Sequence, residues 1–207
     1  MLHQLARPYD PLRPLIYFDE RPCFLIEDGG SLIPMSPGRV KRYHYEYKKN
    51  GACCVFLALE PHTGFRYVEV RERRTAVDYA EFMQTLLARH YPQVAEIRLV
   101  QDNLNTHTPG AFYEVLPPAQ AFALAQKFAP HYTPKKGSWL NMAEIEFPAL
   151  SKQCLDRRIP AVETLRREGL AWADHRNLAR KTVNWKFSQT DARNKLHRHY
   201  QYVQKFI

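Results

Sequence analysis

No apolar run in this 207-residue chain approaches the ~18 residues needed to span a bilayer, and the N-terminus lacks an apolar signal core. A soluble cytoplasmic protein without a membrane partner is therefore expected. Cysteine is scarce as well. Cys23, Cys53, Cys54 and Cys154 fit no metal-ligand spacing, and the adjacent pair cannot easily bridge, so they read as reduced thiols packed as small core residues. The sequence shows no internal repeat and no low-complexity tract.

Positive charge is in excess. Thirty Lys and Arg stand against 21 Asp and Glu, a net of +9, which favours a polyanionic partner such as nucleic acid. The excess is local: from Lys152 onward there are 13 basic and 5 acidic residues, against 17 and 16 before it. The length suits one domain with an appendage. The division expected is a domain over 1–156, opened by a Pro-rich leader (1–13), and a basic helical extension over 157–207.

The stretch PLIYFDE reads as a short strand whose polar residues, Asp19 and Glu20, come at its end and face opposite sides. GRVKRYHYEYKKNG sets Arg39, Lys41 and Arg42 beside Tyr43, Tyr45 and Tyr47, a pattern able to hold a nucleic-acid strand by charge and stacking. It is also the pattern of a solvated edge strand whose tyrosines pack on the core. ACCVFLALE, nearly all apolar, reads as a strand covered on both faces, and FRYVEVRER as its alternating hairpin partner. The period then changes to helical in TAVDYAEFMQTLLARHYP, returns to a strand in EIRLVQDN, and gives two short helices broken at Pro117 and Pro118. KFAPHYTP is extended and NMAEIEFPALSKQCL helical. Two more helices are expected near 161–179 and 190–204, with Ser188 and Asp191 capping the second. Hairpin-linked strands followed by strand–helix alternation indicate an α/β fold with a mixed sheet.

Three carboxylates stand at comparable places: Asp19 closing the first strand, Asp102 closing the fourth and Glu144 opening a late helix. Strand ends and helix starts are where α/β folds gather their sites. Hard oxygen donors without Cys or His at ligand spacing suit Mg²⁺ or Mn²⁺. Each acid also has a plain structural reading: Asp102 as a turn former, Asp19 as a partner of Arg21, and Glu144 as the third residue of a capping box opened by Asn141.

IYFDE, LVQDNLNTH and HYTPKKGSWLNMAEIEF, in that order, resemble the catalytic motifs of the DDE transposases, specifically the mariner-related bacterial insertion-sequence branch. The resemblance implies a ribonuclease H-like mixed sheet flanked by helices. It also implies two divalent metal ions, Mg²⁺ or Mn²⁺, on Asp19, Asp102 and Glu144, with Asn103, His107, Trp139 and Asn141 lining or bracing the site. The implied activity is cleavage of DNA at an element's ends and strand transfer into target DNA. The implied partners are those DNAs, a second copy of the chain, and an upstream reading-frame product carrying helix-turn-helix domains. The implied location is the bacterial cytoplasm, at the nucleoid. Arg157, Arg158, Arg166, Arg167, Arg180, Lys181 and Lys186 are the expected phosphate contacts, alongside the 39–42 cations. The alternative is a catalytically impaired DNA-binding remnant; a third reading is a stand-alone nuclease of the same fold. Pro148 departs from the pattern, because inside a helix it removes the hydrogen bond to the carbonyl of Glu144.

Overall fold

The structure, a computed structural model, describes residues 2–30, 34–40, 42, 45–135 and 137–204. Lys41 and Tyr43 lie outside the described residues. Helix α1 (Leu2–Leu5) opens the leader, which thus holds one helical turn before its extended part. Arg98 ties it down, donating from Nε to the carbonyl of Arg13.

Five strands follow: β1 (Leu15–Asp28), β2 (Tyr47–Glu60), β3 (Phe65–Arg71), then after helix α2 (Ala76–His90) β4 (Ile97–Gln101), and after helix α3 (Pro118–Ala125) β5 (Phe128–Tyr132). Their order in the sheet is β3-β2-β1-β4-β5. β1 and β2 pair antiparallel, as do β2 and β3, while β4 and β5 run parallel to β1. The sheet is therefore mixed, as expected. β1 is much longer than PLIYFDE suggests. Past Tyr17 it leaves β4 and continues to Asp28 as a two-stranded ribbon with β2, which exposes Phe24.

Helices cover both faces, because the strands are apolar on both. On one side Ile16, Phe18, Phe56 and Ala58 pack against Tyr79, Phe82, Met83 and Leu86 of α2. On the other, Tyr17, Val55, Leu57 and Val68 meet Phe147 and Leu150 of helix α4 (Ala143–Leu150) and Leu165, Trp172 and Ala173 of helix α5 (Val162–Leu178). α5 is thus part of the core. Its Asn177 exchanges two 2.8 Å hydrogen bonds with the backbone of Arg66 in β3. Helix α6 (Gln189–Gln204) is capped as expected, with Ser188 Oγ accepting from the amide of Asp191 and the Asp191 carboxylate accepting in return. No described helix is long and apolar enough to cross a membrane.

Pro148 sits inside α4. The helix runs past it, then widens over Ser151–Leu155 into a π-helical turn. Ser151 Oγ and the Arg21 guanidinium both donate to the carbonyl of Phe147, the residue before the proline.

Candidate active site

The parallel register pairs Leu15 with Arg98 and Tyr17 with Val100. Continued by two residues, it sets Asp19 beside Asp102, which follows the last residue of β4. Asp19 is therefore inside β1 and not at its end as the sequence suggested, yet it stands where the pairing with β4 stops. Splayed strands there leave room for a site.

Glu144 comes from the second residue of α4, which Asn141 draws to the strand end. The Asn141 amide donates to the carbonyl of Phe18 at 2.8 Å and to Asp19 Oδ2 at 3.3 Å, while its Oδ1 accepts from the amide of Ala143. No capping box forms. The N-cap is Met142 without a side-chain bond, and Glu144 is left exposed to solvent.

Asp19 is crowded. Its carboxyl is pushed up to about 7, first by burial and then by the charge of Glu144, with smaller contributions from Glu20 and Asp102; the amide of Glu20, donating at 2.8 Å, works the other way. Asp19, Asp102 and Glu144 thus share one electrostatic environment.

His107 is buried and held between two acids. Nδ1 lies 2.5 Å from Asp102 Oδ1 and Nε2 3.1 Å from Glu20 Oε2. Burial alone would lower its pKa, but the bonds to Asp102 and Glu20 and their charges raise it to about 9. The two acids thus favour its protonated form.

The other expected residues are spread more widely. Asn103 is exposed in a shallow recess with Glu20, Arg74 and Thr106. Trp139 meets the C-terminal segment, its ring edge-to-face with Phe187 at 5.3 Å and under the Lys195 ammonium at 5.5 Å. Arg157 pairs with Glu168, and Arg158 with Asp28 at 2.7 Å. Arg166 donates to the carbonyl of Val70. Arg39, Arg42, Arg167, Arg180, Lys181 and Lys186 are exposed.

Glu146 is a buried acid of the same helix as Glu144. It is 1% exposed and forms a two-pronged ion pair with buried Arg66 at 2.6 and 2.8 Å, joined by Arg176 at 3.2 Å. It braces α4 against β3 and α5 instead of facing the site or solvent. Glu20 carries no motif signal, yet its place two residues after Phe18 puts it on the apolar α2 face, where an acid needs a partner.

Among the described residues no three His, Cys, Asp or Glu side chains surround a common point closely enough to hold an ion. The donor set nevertheless fits a hard divalent cation: it is all oxygen, it is crowded with negative charge, and a cation would relieve the burden on Asp19.

A family model described as DDE superfamily endonuclease matches residues 14–166. No curated protein matches the chain. Among solved structures, the Mos1 mariner paired end complex with Mn aligns with a TM-score of 0.55 at 16% identity, over 86% of this chain and 54% of the other. The Mos1 strand transfer complex aligns at 0.56 and 13%, over 84% and 50%. The chain spans about half the length of these Mos1 chains and shares their α/β fold, a ribonuclease H-like mixed sheet between helices.

Proposed function

Because the chain belongs to the DDE superfamily endonucleases, we propose that it is the catalytic domain of a transposase, cleaving DNA at an element's ends and joining those ends to target DNA. The observation that carries the reading is the meeting of Asp19, Asp102 and the start of α4 at the strand ends, drawn together by Asn141. Asp19, Asp102 and Glu144 would hold two divalent ions, Mg²⁺ or Mn²⁺. When bound, such a pair activates a water or 3′-hydroxyl and stabilises the departing oxygen.

The chain's own groups have definable tasks. Asn141 orients Asp19 and fixes the approach of Glu144, and His107 holds Asp102. The exposed cations of the basic C-terminal quarter bind phosphates, giving affinity without sequence preference. Recognition of particular ends falls to a helix-turn-helix partner, and pairing of two ends to a second copy of the chain. A DNA substrate places the protein at the nucleoid.

Nicking of supercoiled plasmid in Mn²⁺ tests the reading. The purified chain is expected to nick and an Asp102→Asn variant to lose this activity. Equal nicking by both would refute the assignment. If neither nicks while both bind DNA in a salt-dependent way, the impaired-remnant reading prevails.

A further inference from the structure

Glu20 has no part in the reading above, yet its side chain is 3% exposed and buried carboxylates persist only when something holds them. The nearest guanidinium, Arg74, is itself 59% exposed and 3.9 Å away. The close contact is His107 Nε2 at 3.1 Å from Oε2, an ion-pair contact without hydrogen-bond alignment, and Oε2 has no hydrogen-bond partner among the described residues.

The imidazole has little freedom. It stacks on Tyr79 with centroids 4.9 Å apart and meets Phe18 edge-on at 5.2 Å. The His107 carbonyl accepts from Gln101 Nε2 at 2.9 Å, and Gln101 in turn accepts from the Tyr79 hydroxyl at 2.9 Å. A ring so fixed transmits the position of one acid to the other. Its Nδ1 engages Asp102 Oδ1 and leaves Oδ2 without a hydrogen bond among the described residues. Glu20 itself reaches the other aspartate through the backbone, its amide donating to Asp19 Oδ1.

We propose that Glu20 is a positioning residue for the metal-binding aspartates: its amide fixes Asp19 from within β1, and its carboxylate, acting through His107, sets which oxygen of Asp102 is presented to a cation. The acid works from the α2 face of the sheet, whereas Asn141 and Glu144 approach from the α4 face. This rests on the metal-dependent reading of the site.

The test is calorimetric binding of Mn²⁺ alone to the full chain, with plasmid nicking measured beside it. Glu20→Gln and His107→Gln are each expected to weaken Mn²⁺ binding about tenfold or more, the usual effect of losing a group that orients a ligand. The double variant should lose no more than the weaker-binding single, because both act on one path. Wild-type Mn²⁺ affinity in Glu20→Gln, or losses that multiply in the double variant, would overturn the proposal. Glu20→Asp, which keeps the charge but withdraws it by one methylene, should show the same loss and reads the coupling even where Glu20→Gln does not fold. Asp102→Asn separates the two levels: if it too binds Mn²⁺ normally, the metal-site reading fails, and if it alone loses binding, only the role of Glu20 fails.

Discussion

Two glutamates two positions apart have opposite fates. Glu144 stands in solvent, while Glu146 is locked to Arg66 inside the protein. Removing one partner of such a pair strands a buried charge, so Glu146→Ala or Arg66→Ala should each cost about 3–5 kcal/mol in urea unfolding. Replacing both with apolar residues of similar volume should cost far less. The motif register Trp-Leu-Asn-x-x-Glu singled out Glu144, but nothing near Glu146 in the chain could reveal Arg66, 80 positions away. The site's charges also predict a pH dependence. His107, raised from 6.5 to about 9, contributes stability that is complete below pH 6.5 and lost as pH rises through 9. Asp19, raised from 3.8 to about 7, acts in the same sense: its protonated form is favoured by folding, so stability falls as pH rises from 4 through 7. In EDTA the melting temperature should therefore decline from pH 5 to 9 as far as these groups decide it. His107→Gln should flatten the decline above pH 6.5, and Mg²⁺ should raise the melting temperature more at pH 8 than at pH 5.

At the level of elements, hydrophobic period served well wherever one face is buried. α2, β4, the two helices after Arg157 and the Ser188 cap all lie close to where the sequence puts them. It failed beyond Glu20. There β1 runs as a ribbon paired with β2 alone, and strands with little core to face carry mixed polarity that spells no period. At the start of α4 the Asn141 side chain serves two elements, its Oδ1 accepting from the Ala143 amide while its amide group reaches Phe18 and Asp19 from across the fold, and no local pattern signals the second contact. Pro148 was legible as a conflict but not in its outcome. The helix absorbs it by continuing and then widening at Ser151. Pro148→Ala returns an amide to face the Glu144 carbonyl and should stabilise the fold by up to about 3 kcal/mol, read by thermal melting, without abolishing nicking.

Across the whole molecule, the basic C-terminal quarter is two things at once. α5 contributes Leu165, Trp172 and Ala173 to the core, so deleting 157–207 should leave an insoluble or unfolded chain, whereas ending it after Lys181 should preserve the fold. The cations divide similarly. Arg157 and Arg158 are engaged by Glu168 and Asp28, and Arg167 lies 3.7 Å from the same Glu168, while Arg180, Lys181 and Lys186 project into solvent. Alanine at each projecting position that meets a phosphate should lower the slope of log affinity against log salt by about 0.9, and alanine at Arg157 or Arg158 by less. The charge excess was visible in composition; which cations are engaged depends on acids brought close only by folding. The proposed chemistry requires Asp19, Asp102 and Glu144 to form one metal site. Anomalous diffraction from crystals soaked in Mn²⁺ tests this most directly. The prediction is two ions ~3.5–4 Å apart ligated by these three carboxylates, and ions bound elsewhere, with Asp19 and Asp102 unligated, would contradict it.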